Sequence, residues 1–337
     1  MWFTLPSPRA VRICAASAVL ILGAAPAVGH AQSSTRPSQA GTPGQARPVT
    51  DGQQQSAFAT PEEAVRALIT AIQAPTAQPL VSILGRKVLD SVPYSERQAS
   101  EMRRAAGNWL ALQPFEIAYQ DETQRRRAMA LFGEARVVLP AMLVRSHRGW
   151  VFDQEATIAA MRERRMGVNE ANAITALRTL ARAQERFRLS DRSGDGVLQY
   201  ARRIRSSAPG RVDGLVGSEF VPGPSIDLLN HAFAEAEGEP GDPRLRPPAG
   251  YAYKILMAQG PSAEGGARSY LVEGRLTEGF AVVAWPAQPG ETGLSTFIMD
   301  HRGAIFEREF GNLTTREVQK LTAFDPGAGW TRIQEAE

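Results

Sequence analysis

The longest stretch with a single hydrophobic period is GVNEANAITALRTLARAQERFRLSD, residues 167–191. Ala173, Ile174, Leu177, Leu180, Ala181, Gln184 and Phe187 fall on one side of about five helical turns, and Asn169 is placed to cap the first. A one-sided helix of this length needs a broad apolar surface to lie on, and the chain downstream supplies one. YAYKILMAQ (251–259), GFAVVAWPA (279–287) and GLSTFIMDHRGAIFERE (293–309) read as strands, the last folding back at His301, Arg302 and Gly303. GPSAEGGARSY reads as a hairpin loop, and Thr314 to Leu321 as a short closing helix before Pro326. The expectation for residues 166–337 is a long helix packed on an antiparallel sheet.

The preceding region runs through the same two periods in the opposite proportion. In FATPEEAVRALITAIQ, Thr60 serves as N-cap, Pro61 suits the first turn, Glu63 completes a capping-box spacing, and Val65, Leu68, Ile69 and Ile72 recur at helical intervals. Leu80 to Leu84 gives a short helix stopped by Gly85, and Ser95 to Leu112 a third with Met102, Ala105, Ala106 and Trp109 on one side. The period then drops to two in FEIAYQ, RAMALFG, ARVVLPAMLVRSH and GWVFD, followed by a helix from Gln154 to Arg165. Helices followed by a curling antiparallel sheet make residues 58–165 a second α+β unit, and the fold class of the whole chain α+β. That order resembles the cone-like fold of nuclear transport factor 2 and its relatives.

Residues 1–57 belong to neither unit. Arg9 and Arg12 precede the apolar run Ile13 to Val28, and Gly29-His30-Ala31 ends in small residues, so residues 1–31 read as a signal peptide, with an uncleaved anchor as the alternative. Residues 32–57, rich in Pro, Gly, Ser and Gln, read as a disordered linker. The mature chain is therefore expected in the periplasm or outside the cell, soluble, with no membrane span after cleavage.

Cleavage removes Cys14, the one cysteine, and with it disulfides, thiol nucleophiles and thiolate ligands. Of 38 basic and 35 acidic residues, 36 and 35 remain, and acids interleave with the arginine clusters at 125–127, 162–165 and 202–205. Nucleic acid is therefore not an expected partner.

SDRSGDGVLQYARR carries the most chemistry-like spacing: Asp191, Ser193 and Asp195 alternate and Gly196 follows. These match the first half of a twelve-residue calcium loop, with Leu198 at the eighth place, but the twelfth place, which should hold a bidentate glutamate, is Arg202. A cation about 4 Å from Ca²⁺ costs several kcal/mol even at an effective dielectric of about 20, so Asp213 or Glu219 would have to close the site. The alternative is a turn ending the helix, with Gly196 at positive φ. Calcium is the one cofactor this sequence admits, and no catalytic residue is assigned. There is no G-x-S-x-G, no H-E-x-x-H, and His147, His231 and His301 read as solvated. Trp150, Trp285 and Tyr253 read as core.

Several blocks together carry a family resemblance: PEEAVRALI, GWVFD, NEANAITALRTLARAQ, DGVLQYA, PGRVDGL, and above all GFAVVAWPA with the PG and TG that follow. In this order they resemble a family of exported bacterial proteins catalogued as domain of unknown function number twenty-nine fifty, from Phe58 onward. That resemblance implies export and no particular activity. The A--LR---A-E-F rhythm leading into a small sheet is also similar to the heads of type II secretion pseudopilins, although residues 1–31 lack the pilin processing site. The functional expectation is a binding or envelope-associated module for an envelope protein or a small ligand. The competing expectation is a secreted hydrolase with its site between the two halves, near Trp150 and the Gly/Pro-rich stretch from Ala208 to Gly250.

Overall fold

In the computed structural model, which describes residues 55–92, 96–192, 194–208, 211, 213–217, 231–243, 245, 247 and 249–334, the first helix starts where its cap dictates. Thr60 Oγ1 accepts the Glu63 N–H at 3.2 Å, Pro61 occupies the first turn, and α1 runs Pro61–Gln73. The Glu63 carboxylate reaches back one residue further than a capping box requires, to the Ala59 N–H at 3.1 Å. Val65, Leu68 and Ile72 are buried, each worth about 1.5–3 kcal/mol. Helices α2 (Gln78–Leu84), α3 (Arg86–Asp90) and α4 (Glu96–Leu112) follow, and Gly85 ends α2 at φ 91°.

Three residues that composition assigns to the linker belong to the first unit. The Gln55 side chain donates to Ile83 O and Phe152 O, and the Ser56 N–H to Ser82 O, so residues 55–57 are part of this unit and not of the linker. The remainder of the expected linker and the whole expected signal peptide lie outside the described residues. The buried side of α4 is also rotated from expectation. Ala99, Arg103, Ala106 and Leu110 face inward, Ala105 is exposed, and Met102 and Trp109 are half-buried. A periodicity that counts only apolar residues cannot place Arg103, whose stem packs inward like a hydrophobe.

Strands β1 (Phe115–Tyr119), β2 (Arg127–Phe132), β3 (Val137–Val138), β4 (Leu143–Ser146) and β5 (Gly149–Phe152) form an antiparallel sheet ordered β1-β2-β4-β5, with β3 also on β2. The expected single strand across 135–147 is two strands. Pro140, which has no N–H to give the ladder, sits in the gap. Trp150 and Phe152 alternate inward with Ala128, Ala130 and Phe132 from β2, closing the first core against α1, α2 and α4.

The chain divides after Arg164, and the helix α5 (Gln154–Arg188) runs unbroken through the division. Sequence periodicity predicts two helices here, with Asn169 capping the second; instead Asn169 lies mid-helix. No proline interrupts residues 154–188, and the isolated Gly167 has open space around it. Its cost of about 1 kcal/mol relative to alanine is too small to break a helix that propagates from both sides.

In the second unit, β6 (Arg203–Arg205) and β7 (Gly214–Val216) pair in parallel, and α6 (His231–Glu235) follows. Next in the chain come β8 (Tyr251–Leu256), β9 (Ala258–Gln259), β10 (Arg268–Ser269), β11 (Leu271–Val272), β12 (Arg275–Leu276), β13 (Ala281–Pro286), β14 (Ser295–Asp300) and β15 (Ile305–Glu309). Helix α7 (Thr314–Lys320) and strand β16 (Thr331–Arg332) end the unit. The main sheet is antiparallel in the order β16-β15-β14-β13-β8, with Val282 opposite both Ile255 and Met299. The hairpin turn at 301–303 and the β9–β10 hairpin across 260–267 form as expected. All residues of β13 and β14 are buried. Because successive side chains point to opposite faces, β13 and β14 are covered on both sides, while β15 and β16 at one edge of the sheet keep exposed residues.

Side chains of α5 are built into the turn joining β13 to β14. Glu170 Oε1 accepts the N–H groups of Leu294 (2.7 Å) and Ser295 (3.1 Å), and Asn169 Nδ2 donates to Thr292 O at 2.9 Å. The Tyr251 hydroxyl donates to Ser295 O at 2.7 Å, and any Cβ on Gly293 would strike that tyrosine. Burial pushes the Glu170 carboxyl above its usual range despite both bonds.

Candidate functional site

The segment after α5 is held in place by its own carboxylates. Asp191 Oδ1 accepts the N–H of Gly194 at 2.8 Å and of Asp195 at 3.4 Å, and Oδ2 accepts the Gly196 N–H at 2.7 Å. The Gly196 bond leads these in holding Asp191 below the ordinary carboxylate range. Gly194 and Gly196 take φ of 71° and 79°, which lets consecutive N–H groups turn toward one side chain. Asp195 Oδ1 accepts the Val197 N–H at 3.1 Å and Oδ2 meets Arg275 Nε at 2.9 Å, tying the turn to the β11–β12 hairpin.

Of the three residues with calcium-loop spacing, Ser193 lies outside the described residues. Asp191 faces N–H groups of its own loop, and Asp195 faces a guanidinium. Asp213 accepts the Ser207 N–H at 2.9 Å, Arg202 is exposed, and Glu219 is outside the described residues. Among the described residues, no three His, Cys, Asp or Glu side chains stand where they could hold one metal ion.

Residues deeper in the unit anchor this loop. Gln184, fully buried, donates to Ala201 O and accepts the Ala201 N–H, so the residue that periodicity places among apolar neighbours is a two-point clamp. Tyr200 donates from its N–H to Leu276 O and from its hydroxyl to Glu185, while burial and then the Glu185 charge push its own ionisation up. Arg188 lies over the Tyr200 ring and Arg192 over Phe187. Upon this framework three apolar side chains face solvent: Leu189 (79% exposed), Leu198 (49%) and Val272 (47%). Sequence reasoning did not single out this set. Leu189 carries a readable signal, since on a helical wheel it falls opposite Leu177, Leu180 and Phe187.

The other candidate groups are dispersed. His147 is exposed beside Arg148. His301, read from sequence as solvated, is half-buried against the edges of Tyr270 (5.4 Å) and Phe280 (6.5 Å); its Nδ1 makes no hydrogen bond, and burial lowers its pKa. Neighbouring Asp300 is instead filled by the N–H groups of Arg302 and Ala304 and by the Arg302 guanidinium, and Tyr270 donates to Gln259. The His231 side chain lies outside the description. Trp150, Trp285 and Tyr253 are core residues. In the first unit, an apolar cavity of about 20 Å³ lies between α1, α2, α4, α5 and residues 139–141, room for about one water.

Among the described residues, no helix is long and apolar enough to cross a membrane. No curated protein matches this chain. No solved structure matches it either. A family model does match, covering residues 55–333; the chain belongs to the family described as Protein of unknown function (DUF2950).

Proposed function

We propose that the protein is an exported binding module that associates with the cell envelope through the loop and hairpin at the end of α5. The observation that carries this reading is the exposure of Leu189, Leu198 and Val272 on a segment whose polar groups are spent on holding its shape. Single exposed apolar side chains need no explanation; three carried by a braced loop and the hairpin that Arg275 ties to it offer a partner a preformed support. The leader-like residues 1–31 support delivery to the envelope.

The test is fractionation of the tagged full chain expressed with its own leader in a bacterial host. The wild type is expected with the envelope fraction, and the Leu189→Ser/Leu198→Ser variant in the soluble fraction. Identical distribution of the two, or a wild type wholly in the soluble fraction, overturns the reading. Turnover of ester, peptide or glycoside reporters by the purified chain would replace it with the hydrolase.

A further inference from the structure

The solvent side of α5 carries like charge at helical spacing. Arg178, Arg182 and Arg186 stand four residues apart and all are exposed. At about 100° per residue they span roughly 80° of arc, opposite the buried Ala173, Leu177, Leu180 and Phe187, and extend along about 12 Å of axis. Like charges at this spacing work against the helix that bears them, so helix stability does not account for the stripe. The one carboxylate between residues 171 and 188 is Glu185, which accepts the Tyr200 hydroxyl at 3.1 Å. Asp191, just beyond, is turned into the N–H groups of its own loop. Immediately past the helix end stands Leu189, three residues from Arg186, with its side chain in solvent.

Guanidinium groups match phosphate oxygens in paired hydrogen bonds, and an apolar side chain at the end of a basic stripe suits a surface that is anionic outside and apolar within. We propose that this face of α5 docks on a bilayer containing anionic phospholipid, with Arg182 and Arg186 on headgroup phosphates and Leu189 entering the headgroup layer. The proposal rests on the envelope-association reading and names its partner. A nucleic acid would use the arginines and leave the leucine without a role.

The test is cosedimentation of the purified chain with vesicles of phosphatidylcholine alone or mixed equally with phosphatidylglycerol. Binding is expected only to the mixed vesicles, weakening as salt rises, and Arg182→Glu/Arg186→Glu is expected to lower it at least about tenfold. Leu189→Ser is expected to lower it severalfold, Arg182→Lys/Arg186→Lys to retain most of it, and inorganic phosphate at matched concentration to leave it in place. Unchanged melting temperatures of these surface variants exclude misfolding as the cause. Equal binding to both vesicle types, no binding by the wild type, or indifference to the charge reversal overturns the proposal. If the wild type and the leucine variant still separate in envelope fractionation while no vesicle is bound, the envelope association stands and the lipid assignment falls.

Discussion

The two units solve the same problem, a helix on a sheet, with polar contacts of different reach. In the first, most side-chain ties close within four residues: Thr60 to Glu63, Asp121 to Thr123 and Gln124, Asp153 to Ala156, Ser146 to Gly149. Gln55, reaching Phe152, is an exception. In the second, Glu170 reaches Leu294, Asp325 reaches Ser262, Gln184 reaches Ala201, and Glu237 takes the N–H groups of Ile204 and Arg205. The sheets differ in parallel. Inside the first sheet, β2 and β4 keep Arg127 and Arg145 exposed, whereas the interior strands β13 and β14 of the second are buried throughout; the edge strands of both sheets are partly exposed. A sheet covered on both faces has turns and ends shielded from water, and their backbone groups must find partners wherever the fold brings them.

This contrast can be broken most directly in the strands. Val282→Asp in β13, which puts a charge between Ile255 and Met299, is expected to cost several kcal/mol in urea unfolding, and Val151→Asp in β5 markedly less. Equal losses would show that the first sheet is as closed as the second. The long-range carboxylates come next. Glu237 gives Oε1 to Ile204 at 2.7 Å and Oε2 to Arg205 at 2.6 Å, so Glu237→Gln must turn an amide N–H₂ toward one donor, with an expected loss of about 1–3 kcal/mol.

In the first unit the matching local tie is the cap of α1, and Thr60→Ala is expected to cost about 1 kcal/mol by thermal unfolding. A loss at Thr60 larger than at Glu237 would invert the comparison. The smallest expected effect is at Glu170. Both of its bonds use Oε1, so glutamine can keep them. Burial raises its folded pKa, so the native state holds a proton the unfolded chain has released; stability falls as pH rises from about 4.3 through the folded value. Glu170→Gln is expected to reduce that slope, the buried Glu237 carboxyl contributing in the same direction, and to change the melting temperature little at low pH. An unaltered slope would assign the titration to another group.

The sequence is most readable where structure is local. The Thr60 cap, the Gly85 stop, the Gly196 turn and the hairpin at 301–303 are each decided by a few adjacent residues. Reading fails where a side chain acts at a distance. Asn169 looks like a cap because asparagine favours caps, yet its amide is used by Thr292, 123 residues away. Gln184 looks like a tolerated polar neighbour and is a clamp. His301 looks solvated because it sits in a hairpin tip, yet Tyr270 and Phe280 cover it. At the candidate surface, sequence supplies the spacing of Asp191 and Asp195 but not Arg275, whose pairing with Asp195 depends on the hairpin being brought alongside.

What the sequence alone determined is the α+β class, the placement of the longer helices and of the main-sheet strands β8, β13, β14 and β15, and the family to which the chain belongs, because periodicity, caps and turn residues act within one or two turns of chain. Tertiary structure alone decided that β13 and β14 are covered on both faces and which acids close which loops. Those outcomes depend on backbone donors meeting side chains tens to more than a hundred residues away, and no local preference encodes a meeting that only the folded chain arranges.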